Sequence, residues 1–197
     1  MKLRTIGCVE LSSIGMGMQT ADEMVKAANV ELVMARTTCP GRYLIVVTGD
    51  TGAVTSSVQA GLHLAGELVV DSFVIPNVHE SVIPAMNGTA IHDRINALGV
   101  IETYTAASCV LAADAAAKAG EVSLLDLRLS AGLGGKAFVV MTGEVSAVQS
   151  SVDAGAANVT DGGPVASEIV IPSPSEELKR QLLYAAIAPT SSKRWKK

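Results

Sequence analysis

The chain is written twice, and that duplication constrains its fold more than any other feature. With Gly7 set on Gly99, an offset of 92 also pairs Glu10 with Glu102, Ala21-Asp22 with Ala113-Asp114, and Lys26-Ala27 with Lys118-Ala119. The same offset pairs Val30, Leu32 and Arg36 with Val122, Leu124 and Arg128. Past a Gly-rich turn the offset becomes 94, pairing Gly41 with Gly135, Thr48-Gly49 with Thr142-Gly143, and Ser56-Ser57-Val58 with Ser150-Ser151-Val152. Near the end "FVIPNVHE" answers "IVIPSPSE" at an offset of 96. The spacing gives two homologous domains, at 1–88 and 98–188, joined by a linker at 89–97 and followed by a basic tail at 189–197, expected to be a solvated end.

Each copy carries the same order of elements. In the first, Ile6–Leu11 reads as a short strand, and Thr20–Ala28 has helical spacing, with Ala21, Met24, Val25 and Ala28 on one face. Thr20 with Glu23 three residues on predicts a capping box at the start of that helix. Val30–Thr37 and Tyr43–Thr48 are apolar strands around the "TCPG" turn. A second helix is expected from Asp50 or Thr51 to about Ala65, then a strand over Leu68–Ile75 and a short helix over Ser81–Met86. This is an α+β fold of two tandem β-α-β-β-α-β units, the ferredoxin-like order, with helices on one face of an antiparallel sheet and a core expected within each unit.

Composition narrows the chemistry. A net charge of −4 opposes general nucleic-acid binding, and aromatics at 3% leave no stacking platform for RNA. No apolar run reaches the length of a membrane span, and "MKLRTIGCVE" lacks the apolar stretch and cleavage site of a secretory leader, so the expected address is the cytoplasm. "GLGGKA", at 132–137, runs into the strand "FVVMTG" rather than a helix, so the phosphate-loop reading fails. "IGMGM" lacks the context of a dinucleotide fingerprint. His63, His79 and His92 are scattered and read as surface or capping residues, and no nucleophile–base pair stands out. The chain is not expected to be an enzyme.

Three cysteines remain, and no pair of them has CxxC spacing. Cys8 lies in the first strand and Cys109 near the start of the second repeat's first helix, where a cysteine acts as a small buried hydrophobe. Cys39 sits in the turn "TTCPGR", whose counterpart "SAGLGG" has no thiol. One reading is an incidental exposed thiol. The other is a ligand shared between copies, since one thiol cannot hold an iron–sulfur cluster or a structural zinc, whereas a homotrimer with this turn on its axis supplies three.

The repeated unit resembles the shell-protein domain of bacterial microcompartments. The resemblance rests on "GCVEL", "ADEMVKAANVEL", "VVTGDTGAVTSSVQAG" and "VIPNVHE", with counterparts "GVIET", "AADAAAKAGEVSL", "VMTGEVSAVQSSVDAG" and "VIPSPSE". Two such domains in one chain resemble the tandem-domain trimeric (BMC-T) class, and "TTCPGR" resembles its iron–sulfur-bearing, propanediol-utilisation type. The resemblance implies a homotrimeric, pseudo-hexameric tile that packs laterally with other shell proteins. It implies that Thr38, Cys39, Pro40 and Gly41, with Ala131, Gly132, Leu133, Gly134 and Gly135, line a central pore. It further implies that three Cys39 ligands hold one 4Fe–4S cluster there, for electron transfer with a redox enzyme or carrier or for cluster delivery. Lys26 and Lys118 fall on the family's tile-edge lysine. The rivals are a cluster-free tile whose pore gates small metabolites, and a soluble enzyme or sensor of the same strand order.

Overall fold

The computed structural model describes residues 5–92, 94–130, 132–159 and 165–187. The first repeat contains β1 (Thr5–Leu11), α1 (Ile14–Ala27), β2 (Glu31–Thr38), β3 (Arg42–Gly49), α2 (Thr51–Ala65), β4 (Val69–Ile75) and α3 (Val82–Met86). The second contains β5 (Ala97–Thr103), α4 (Ala106–Ala119), β6 (Val122–Arg128), β7 (Ala137–Gly143), α5 (Val145–Ala157), β8 (Val165–Ile171) and α6 (Glu176–Ile187). Each repeat forms one four-stranded antiparallel sheet, ordered β2-β3-β1-β4 and β6-β7-β5-β8. The registers repeat too: Val9 faces Ile45 as Ile101 faces Val139.

Helix α1 starts earlier than its periodicity suggests. Ser13 is the N-cap, its hydroxyl accepting from the Met16 N–H at 3.4 Å, and Thr20 lies buried in mid-helix. The capping box expected at Thr20 is therefore corrected to a cap at Ser13. Gly15 and Gly17 resemble helix breakers in sequence, but Gly17 is there for packing. A Cβ on it would lie 2.4 Å from the Cβ of Tyr43, so its absence lets α1 press against β3. The second repeat solves the same contact in reverse, with Cys109 on the helix and Ala137 on the strand.

Each sheet uses both faces. Val9, Leu11, Ile45 and Val47 pack under α1 and α2 with Met24, Val54 and Val58. On the opposite face, Cys8, Leu44, Val46 and Phe73 belong to one apolar cluster with Ala106, Cys109, Val110 and Ala113 of α4. The expectation of a separate core in each domain is thus corrected: the first sheet's outer face and the second repeat's core are continuous. The physical reason is composition, because the small residues of α4 let that helix sit between two sheets. The equivalent outer face of the second sheet carries a smaller cluster, Ile95, Leu98, Leu125 and Val140, partly covered by Leu182 of α6.

Candidate functional site

The Cys39 turn is built by its neighbours. β2 and β3 pair up to Thr38 and Arg42, leaving three residues to reverse the chain. Gly41 takes φ +89°, which an L side chain would resist, and its N–H closes the turn on the Thr38 carbonyl at 3.0 Å. The peptide before Pro40 is cis. Thr38 is buried, and its hydroxyl has no partner among the described residues.

The matching turn of the second repeat lies directly alongside. The Cys39 N–H donates to the Ser130 carbonyl at 2.7 Å, and the Gly132 N–H reaches the Cys39 sulfur at 3.4 Å. Gly135 approaches Pro40 so closely that a Cβ there would meet the proline Cδ at 3.1 Å. Buried Ser130 holds the loop by donating to the Gly135 carbonyl at 3.2 Å. Thr38, Cys39, Pro40, Gly41, Gly132, Leu133, Gly134 and Gly135 therefore lie in two abutting turns, while Ala131 lies outside the described residues. The three thiols differ in kind. Cys39 is half-exposed, whereas Cys8 and Cys109 are fully buried, and burial pushes both of those thiols up from the ordinary range. Among the described residues no group of three or more His, Cys, Asp or Glu side chains could hold a metal ion within one chain.

Behind the turns, the two repeats are joined by charged and polar side chains that sequence reasoning missed. Fully buried Glu10 accepts from Arg42 Nη1 at 3.0 Å and from the Ala107 N–H at 3.1 Å, in the first turn of α4. Arg42 also donates to the Tyr104 carbonyl at 3.3 Å. Asp71 accepts from the hydroxyls of Thr105 at 2.7 Å and Ser108 at 2.9 Å. The His79 N–H donates to Asp114, whose other oxygen takes Lys118 at 2.6 Å. A signal for this joint existed in the repeat, which keeps the acid at Glu10 and Glu102 and a cation at Arg42 and Lys136. Lys26 and Lys118 occupy the last turns of α1 and α4, each paired with an aspartate one turn earlier, Asp22 and Asp114. His63 is exposed on α2, and His79 sits in a turn with its Nδ1 2.8 Å from the Ser81 hydroxyl. His92 is partly exposed, with its Nε2 buried and without a partner among the described residues.

Two copies of one α+β unit are thus fused in tandem and packed side by side with their hairpin turns adjacent. The chain matches the BMC domain model over residues 5–78 and again over 97–174, and it belongs to that family of microcompartment shell proteins. It is 41% identical over 180 residues to the bacterial microcompartment shell protein PduT of Citrobacter freundii, covering 91% of this chain and 98% of that one. It is similar to a microcompartments protein from Desulfitobacterium hafniense DCB of known crystal structure, with 46% identity and a TM-score of 0.82 over 90% of this chain and 99% of the other. A fused permuted hexameric shell protein of the RMM microcompartment shares the fold, with a TM-score of 0.60 and 20% identity over 79% of this chain and 81% of the other. These relatives are structural shell proteins rather than enzymes. No helix among the described residues is long and apolar enough to cross a membrane.

Proposed function

We propose that this shell protein is a homotrimeric tile whose threefold axis passes through the Cys39 turns, so that three thiolates bind one 4Fe–4S cluster. The observation that carries the reading is the position of Cys39. It is the half-exposed thiol at a turn tip, beside the repeat's matching turn, while the chain's described residues offer no other ligand set of their own. A cluster needs three or four ligands, and symmetry is then the way to collect them. In this arrangement Thr38–Gly41 and residues 132–135 line the pore, and Lys26 and Lys118 face neighbouring tiles of the shell.

Bound on the axis, the cluster supplies a one-electron couple, and three thiolates for four irons leave one iron open to an outside ligand. The chain's own residues set its surroundings. The Gly132 N–H aimed at the Cys39 sulfur would, in a cluster, favour the reduced form over the oxidised one. The abutting turns restrict what else passes through the pore. Electrons would enter from a reduced donor on one side of the shell and leave to an acceptor, a redox enzyme or carrier, on the other, or the trimer would serve to deliver the cluster. Iron and acid-labile sulfide content, with electron paramagnetic resonance on anaerobically purified protein, tests the reading. About four irons per three chains are expected, and none in Cys39→Ser. An iron-free wild-type protein would hand the pore to the metabolite-gating reading.

A further inference from the structure

The two matching turns are closed by different means. In the first, the Thr38 carbonyl accepts the Gly41 N–H at 3.0 Å, and the buried Thr38 hydroxyl has no partner among the described residues. In the second, Ser130 and Gly135 stand where Thr38 and Gly41 stand, but the closure is made by the Ser130 hydroxyl, donating to the Gly135 carbonyl at 3.2 Å. The Ser130 carbonyl is thereby free, and it accepts the Cys39 N–H at 2.7 Å. The backbone shows what redirects it. Ser130 has φ +52°, and it is one of two non-glycine residues with positive φ among the described residues, the other being Asn77. An L side chain enters that region at a steric cost, which persists only where the surroundings impose it. Ser130 is fully buried, so its hydroxyl bond is made away from water.

We propose that Ser130 is a positioning residue of the Cys39 site: its carbonyl fixes the Cys39 backbone, and its hydroxyl holds the glycine loop so that the Gly132 N–H stays on the Cys39 sulfur. This rests on the cluster reading above and assigns the second repeat a task within it. The contact to the sulfur is 3.4 Å long, and it comes from a loop in which Gly132, Gly134 and Gly135 have φ +74°, +62° and +94°. Glycines have little backbone preference of their own, so such a loop needs a tether, and the Ser130 hydroxyl supplies one. Cys39 is then met twice from the second repeat, at its N–H by Ser130 and at its sulfur by Gly132. Being fully buried, Ser130 acts on the cluster only through Cys39 and Gly132. The repeats divide the work: the first brings the thiol, and the second, which has none in its turn, brings the clamp. On a threefold axis the same clamp acts at each of three sulfurs, so a change at Ser130 reaches the cluster three times.

The test compares the full chain with Ser130→Gly, Ser130→Val and the control Asn77→Gly, which removes a side chain at the other left-handed position. Hydrogen exchange at Cys39 and Gly132 is followed on protein freed of iron. The reduction potential of the bound cluster is read by titration with electron paramagnetic resonance. Ser130→Gly keeps the left-handed backbone without strain but loses the hydroxyl. Exchange at Gly132 should rise about threefold while Cys39 stays as slow as in wild type. The cluster should remain bound at a lower potential, since weaker donation to the sulfur stabilises the reduced form less. Ser130→Val, β-branched and without a hydroxyl, opposes the backbone as well, so exchange should rise at Cys39 too and most of the iron should be lost. The control should match wild type in every reading. Wild-type exchange at Gly132 and a wild-type potential in Ser130→Gly would overturn the positioning role and leave the cluster reading standing. An iron-free wild type would overturn the cluster reading, and the exchange rates then decide the hold on Cys39 by themselves.

Discussion

At the scale of single residues, the structure separates three thiols that the sequence could only tell apart by location. Cys8 and Cys109 are held protonated by burial, so a thiolate-specific reagent should find only Cys39 in the native chain without a cluster. Alkylation with iodoacetamide at pH 8, followed by peptide mass spectrometry, should modify Cys39 first and reach the other two only after unfolding. Early labelling of Cys109 would mean that the seam between the repeats opens readily. Burial of Cys8 and Cys109 was legible in the sequence, since each falls on an apolar element. The Gly132 contact to the Cys39 sulfur was not, because it joins residues 93 positions apart and depends on how two turns abut.

At the scale of elements, the repeat allows one half of the chain to explain the other. The strands and the second helices were legible from apolar runs and turn residues, and their observed ends differ by a residue or so. The start of α1 was not, because Gly15 and Gly17 argue locally against a helix while Tyr43, far along the chain, demands a glycine at 17. Gly17→Cys alone should overpack this contact and cost about 1–3 kcal/mol. Combined with Tyr43→Ala, which copies the Cys109–Ala137 solution of the second repeat, it should cost less than the two single changes added together. Urea unfolding of the three variants checks this; strict additivity would mean that helix and strand do not share the contact.

At the scale of the whole molecule, the repeats do not fold as two independent beads. The first sheet's outer face needs α4, and buried Glu10 needs both Arg42 and the Ala107 N–H. Glu10→Ala leaves Arg42 without its partner within a largely buried joint and should cost about 3 kcal/mol of chain stability. Glu102→Ala breaks an exposed pair and should cost less than about 1 kcal/mol in the separated chain. Equal losses in chemical denaturation would contradict the seam. For the same reason residues 1–88 alone should lack a cooperative thermal transition, with Cys8, Leu44 and Phe73 exposed to water. Sequence periodicity gave no warning of this, since a sheet covered on both faces and one covered on a single face differ only in what lies beyond the repeat.

In the function proposed here, one cysteine per chain becomes a shared metal centre when copies of the chain close into a ring. Native mass spectrometry of protein purified and sprayed without oxygen tests both halves at once. A species of three chains carrying one 4Fe–4S cluster is expected, and in Cys39→Ser three chains carrying none. A trimer free of iron in the wild type, or iron retained by Cys39→Ser, would contradict it.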